Sequence, residues 1–152
     1  MILAVKANPR TVTVLYVEDE ECDRYFMQEA FRTAGMGEAL RAVVNGREAI
    51  DYLAGRGVYA DRDLYPSPVA ILLDLNMPLV SGFEVLKWIR GRPEFAALPV
   101  VVFTSSSREE DKVRARELGA DEFVEKPQSM RKFSEVVELM RKRWLGAGQS
   151  RE

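Results

Sequence analysis

Carboxylates, hydroxyls and one lysine stand where the apolar runs of this sequence stop. Glu18 and Asp19 follow Val12–Val17 (VTVLYV), and Asp74 ends Val69–Leu73 (VAILL). Thr104 and Ser105 follow Pro99–Phe103 (PVVVF), and Lys126 follows Glu122–Glu125. If these runs are parallel strands, their carboxyl ends share one edge, where ligands of such sheets bind near a switch in strand order. Three carboxylates converging there repel one another, by roughly 4 kcal/mol per pair at about 4 Å and an effective dielectric of about 20. A hard cation offsets that repulsion. Mg²⁺ takes oxygen ligands, keeps several waters and tolerates one or two carboxylates. The metal and Lys126 would together neutralise a transferring phosphoryl group, with Asp74 as the carboxylate nucleophile forming an acyl phosphate. Thr104 would donate a hydrogen bond to the bound phosphoryl.

What is absent narrows the chemistry further. The 152 residues contain no histidine and one cysteine. That removes a Ser–His–Asp triad, histidine metal ligands, a phosphohistidine carrier, an intrachain disulfide and a Cys–His zinc cluster. Cys22 reads as an ordinary residue of a first helical turn. A formal net charge of −2 gives no electrostatic reason to expect nucleic acid or an anionic membrane as partner. No apolar run approaches the roughly 20 residues of a membrane span. The opening MILAVKANPR lacks the core of a signal peptide. The expected location is cytoplasmic.

The elements that must position these groups alternate regularly. Helical spacing marks Glu20–Thr33, Arg47–Leu53 and Gly82–Arg90, with Leu40–Val44 a strand between the first two. Gly35 and Gly37 end the first helix. Ser107 with Glu110 three residues on predicts a capping box opening a helix at Arg108–Leu118, with Gly119 at its end. Glu122–Glu125 is a short fifth strand, and Met130–Leu145 a last amphipathic helix. Its RKFSEVVELMRKRW run balances basic residues with Glu135 and Glu138 and reads as a solvated face. Gly55–Pro68 (GRGVYADRDLYPSP) is the longest irregular stretch and predicts an exposed loop. The order is βαβαβαβαβα: an α/β, doubly wound, five-stranded parallel sheet covered on both faces. The expected organisation is a tail over 1–11, one domain over 12–145 and a tail over 146–152.

On this framework the blocks VEDE (Val17–Glu20), LLDLNMP (Leu72–Pro78), FTSS (Phe103–Ser106) and EKP (Glu125–Pro127) resemble the signature of the bacterial response-regulator receiver domain. The gaps from Asp74 to Thr104 and from Thr104 to Lys126 match that family, and Asp19 to Asp74 is longer because of the Gly55–Pro68 loop. The stretches YLAGRGVYAD, PSPVAILLDLNMP, PVVVFTSSSREED and LGADEFVEKP are similar to stand-alone regulators that partner phytochrome-type histidine kinases. The resemblance implies the flavodoxin-like receiver fold, with Asp74 as phosphoacceptor. It implies Mg²⁺ (or Mn²⁺) held directly by Asp19 and Asp74, by Glu18 through water and by the Asn76 backbone carbonyl. Lys126 would bind phosphate, Thr104 would be the switch hydroxyl and Phe123 the aromatic that changes rotamer with it. The Lys126–Pro127 bond would be cis.

The resemblance also implies a sensor histidine kinase as phosphodonor and a homodimer through the last two helices and fifth strand, with Trp144 and Leu145 contributing. The chain ends soon after its last helix, at LGAGQSRE, so the expected output is a contact with a downstream protein. Two other functions fit parts of the pattern. A small aspartyl-phosphate phosphohydrolase would turn over phosphomonoesters, but the second acid expected two positions after its nucleophile is Asn76. A phosphorylation-independent binding module would lack some site residue, and none is missing. A nucleotide or flavin carrier fits worst, because no glycine-rich phosphate loop follows Val12–Val17.

Overall fold

In the computed structural model, residues 12–126 and 130–145 are described. Five strands form one parallel sheet: β1 (Val14–Val17), β2 (Leu40–Val43), β3 (Ala70–Leu73), β4 (Val100–Thr104) and β5 (Glu122–Glu125). Their spatial order is β2-β1-β3-β4-β5. The helices between and after them are α1 (Glu21–Thr33), α2 (Gly46–Ala54), α3 (Gly82–Arg90), α4 (Glu109–Glu117) and α5 (Met130–Met140). The doubly wound expectation therefore holds. Expected and observed bounds differ by up to two residues until the last helix, which gives way to a π-helical turn over Arg141–Leu145.

The continuous apolar strands follow from burial on both faces. Tyr16, Leu72 and Phe103 point toward α1 and α5, meeting Phe31, Phe133 and Val137. Leu15, Ile71 and Leu73 point the other way, into Leu53, Leu86 and Ile89 of α2 and α3. Period-2 side-chain alternation thus feeds two cores, and every residue of β1, β3 and β4 is buried. With the sheet wedged between two helical layers, its carboxyl edge is held as a rigid platform.

One local expectation needs correction and another needs refining. The Ser107–Glu110 capping box does not form; α4 begins at Glu109, and Arg108 is its N-cap with no side-chain cap bond. Ser106 serves instead: its hydroxyl accepts from the Arg108 N–H (3.2 Å) and donates to Asp111 (2.6 Å), while Glu110 pairs with Arg108. Nor is Gly55–Pro68 simply an exposed loop. Tyr59 and Tyr65 pack on Tyr52 with ring centroids 5.0 and 6.1 Å away, and the Tyr52 hydroxyl donates to the Pro66 carbonyl (2.9 Å). Arg62 donates to the carbonyls of Leu53 and Tyr65. Most of the segment is exposed, as expected, but Tyr59 and Tyr65 are half-buried against the core and pin it to α2.

Candidate functional site

β1 and β3 are neighbours although the chain leaves them in opposite directions across the sheet, so the switch in strand order falls between them. The ladder continues one residue beyond each strand. Glu18 donates its N–H to the Val43 carbonyl and Asp74 to that of Val17, both at 3.1 Å. These bonds fix the two acids at the sheet edge. One oxygen from each of Glu18, Asp19 and Asp74 lies within 4.8 Å of the others. Glu18 and Asp74 are buried, whereas Asp19 sits at the more open rim. Where α3 begins, a Cβ on Gly82 would collide with the Asp74 carbonyl oxygen. Only glycine lets that helix approach the acidic loop so closely.

Lys126 enters from the end of β5, its N–H donating to the Thr104 carbonyl (2.6 Å). Its ammonium lies 2.6 Å from Glu18, 2.7 Å from Asp23 and 3.4 Å from Asp74. Burial works against the lysine's charge, but hydrogen bonds to Asp23 and Glu18 and the nearby Asp74 charge prevail and hold its pKa above the ordinary value. Glu18 shows the reverse balance. Burial and the Asp74 charge push it up to about 7, against the pull of Lys126 and of the Glu20 N–H on its second oxygen (3.1 Å). The buried Tyr16 hydroxyl donates to Glu18 at 3.2 Å, and burial and that carboxylate raise its pKa. Arg24 anchors the turn by donating to the Glu18 carbonyl (2.8 Å).

An all-oxygen carboxylate set beside a buried lysine suits a hard divalent cation and a phosphoryl group. The described helices include none long and apolar enough to cross a membrane. Residues 14–138 match the response regulator receiver domain. The chain belongs to this family. The receiver is 33% identical over 140 residues to Response regulator Rcp1 of Synechocystis sp., covering 92% of each chain. Among solved structures it resembles the phosphorylated cyanobacterial phytochrome response regulator RcpA at 30% identity and a TM-score of 0.78, covering 89% of this chain and 95% of that one. It also resembles the Mn²⁺-bound form of Rcp1 at 30% identity and a TM-score of 0.75, covering 90% and 96%. The likeness to stand-alone phytochrome regulators read from the sequence is therefore supported by both comparisons.

Of the receiver's remaining predicted residues, Thr104 and Asn76 join this centre. Thr104, fully buried, ends β4, and its hydroxyl accepts from the Asn76 side-chain amide and the Ser106 N–H, both at 3.4 Å. The Asn76 N–H donates to Asp74 at 3.3 Å. Phe123 is half-buried on β5 and packs against the cluster of Leu75, Phe83, Val102 and Ala115. Pro127 lies outside the described residues, as do 1–11 and 146–152, so the expectations for them concern parts not described. Sequence reading missed Asp23 and Tyr16. Each carried a periodic signal: Asp23 lies one helical turn after Asp19, and Tyr16 shares a strand face with Glu18.

Proposed function

We propose that this receiver accepts a phosphoryl group on Asp74 from a sensor histidine kinase, in a reaction that requires Mg²⁺ or Mn²⁺. The observation that carries the reading is the meeting of Glu18, Asp19, Asp74 and Lys126 at the switch in strand order. Asp19 and Asp74 would hold the ion directly, Glu18 through water and Asn76 by its backbone carbonyl. When bound, the ion supplies charge neutralisation on the phosphoryl oxygens.

An Asp74 carboxylate oxygen attacks phosphorus in line. The new O–P bond forms as the P–N bond of the donor phosphohistidine breaks, its electron pair returning to the imidazole. Lys126 redirects its Asp74-facing N–H to a phosphoryl oxygen. The Thr104 hydroxyl, now an acceptor for Asn76 and Ser106, turns to donate to another. Later hydrolysis returns Asp74 to the carboxylate, so the chain catalyses its own phosphorylation and dephosphorylation without acting as a conventional enzyme.

Output passes by protein contact over α4, β5 and α5, with Phe123 changing rotamer alongside Thr104. The packing of α4 supports this. Ala115 is its one buried residue, while the Ser106–Asp111 bond and the Arg114 guanidinium 4.1 Å over the Phe83 ring help to hold it. Because Ser106 also donates to Thr104, movement of that hydroxyl reaches α4 through one residue. This face is also the proposed homodimer surface, the kinase is of the phytochrome type, and the protein acts in the cytoplasm on a downstream protein.

Incubation with Mg²⁺ and acetyl phosphate tests the reading by intact mass. Wild type should gain one phosphoryl group and Asp74→Asn none. Equal labelling of both, or of neither, contradicts it. Repeated turnover of a phosphomonoester would favour the hydrolase instead.

A further inference from the structure

We infer that Asp23 is a positioning residue that ties back the Lys126 ammonium, keeping it beside Asp74 without letting it close on the nucleophile. This rests on the phosphoacceptor reading above. An ammonium has three N–H donors, and three carboxylates from three elements surround this one: Glu18 after β1, Asp23 on α1 and Asp74 after β3. The two short contacts, 2.6 Å to Glu18 and 2.7 Å to Asp23, go to carboxylates that do not react. The long one, 3.4 Å, goes to the residue that does. A phosphoryl group arriving at Asp74 therefore has to exchange only the weakest of the three. Lysine is a point charge on a flexible four-carbon stem, and two fixed anchors from separate elements remove that freedom before reaction. Without Asp23, the ammonium keeps Glu18 and is free to pair fully with Asp74, which occupies the attacking oxygen.

Asp23 also has a simpler role to be weighed. It is an acid in the first turn of α1, where negative charge favours a helix N-terminus. That role needs no contact with Lys126. Nor is Asp23 part of the three-carboxylate group found among the described residues, so its effect on metal binding should be small.

The test compares wild type, Asp23→Asn and Asp23→Glu. With Mg²⁺ and acetyl phosphate, Asp23→Asn should form and hydrolyse the acyl phosphate about three- to ten-fold more slowly, as expected when a contacting positioning group is lost. Both steps slow because Lys126 serves the same phosphoryl oxygens in each direction. Asp23→Glu should recover part of the rate, and Mg²⁺ affinity should change by less than about two-fold. In ¹H–¹⁵N spectra without a phosphodonor, a slowly exchanging Lys126 ζ-ammonium signal should be present in wild type and lost in Asp23→Asn. Faster formation in Asp23→Asn would show that Asp23 competes with phosphate for the lysine and overturn the inference. Unchanged rates with an unchanged ammonium signal would leave only the helix-end role and overturn it equally. If wild type takes up no phosphoryl group, the proposed function fails, and the ammonium signal still decides whether Asp23 restrains Lys126.

Discussion

The two edges of the sheet are built on opposite principles. At the carboxyl edge, Glu18, Asp23 and Asp74 crowd around Lys126, Asp19 adjoins Glu18 and Asp74, and like charges are held closer than they would choose. At the amino edge, charge is spent on closing loops. Arg90 donates to the carbonyls of Gly119, Phe95 and Leu98 and pairs with Asp121, which itself accepts from the Val100 N–H (2.8 Å). Beside it the three tyrosines and Arg62 close the segment before β3. At the amino edge Arg90 and Asp121 find their partners internally, whereas the carboxyl edge keeps an electrostatic demand that a cation and a phosphoryl group can meet. A stable scaffold at one end permits an unstable cluster at the other.

Substitutions at the two edges should therefore move stability in opposite directions. Arg90→Ala has the largest expected effect. It removes one donor each from three carbonyls and Asp121 and should cost about 2–4 kcal/mol in urea unfolding, while Mg²⁺ affinity in the folded protein stays near wild type. If Arg90→Ala weakens Mg²⁺ binding strongly, the edges are not independent.

Asp74→Asn should do the reverse. With a chelator present it removes one like charge from the cluster and should stabilise by about 1–2 kcal/mol. It should also lose most of the rise in melting temperature that Mg²⁺ gives wild type, since a ligand stabilises only through the state that binds it. A destabilised Asp74→Asn that still responds fully to Mg²⁺ would remove the claim of stored repulsion.

The smallest effect concerns alkaline pH. Burial pushes the Tyr52 hydroxyl up to about 12, against the nearby Arg41 and Arg62, from an ordinary value of 10.0. Unfolded chains lose this proton near pH 10 while the folded protein keeps it, so the folded state binds more protons between pH 10 and 12. Stability contributed by the neutral phenol is therefore complete below pH 10 and falls as pH rises to about 12. Tyr52→Phe should cost about 1 kcal/mol near neutrality, for the lost bond to the Pro66 carbonyl. Across that window its stability should fall less steeply than that of wild type. Parallel curves for the two proteins would count against a buried Tyr52.

The same contrast explains what could be read beforehand. VAILL and PVVVF announce central strands because burial on both faces leaves no polar alternation. Glu18, Asp19, Asp74, Thr104 and Lys126 were legible because each interrupts or follows such a run. The misreadings come from contacts with no local period. Ser106 and Ser107 both look like caps, and the bond from Ser106 to Asp111 decides between them. Tyr52, Tyr59 and Tyr65 have no common spacing, so their cluster emerges only when the chain folds back on α2. Asp23 meets a lysine 103 positions away, and no helical pattern in α1 names that partner.

The central claim is that Asp74 itself becomes the acyl phosphate. Borohydride reduces an aspartyl phosphate to homoserine, so treatment of the Mg²⁺ and acetyl phosphate reaction, followed by peptide sequencing, reads the modified position directly. The account predicts homoserine at position 74, dependent on both Mg²⁺ and acetyl phosphate. Homoserine at another aspartate, or none in protein that has gained a phosphoryl group, would contradict it.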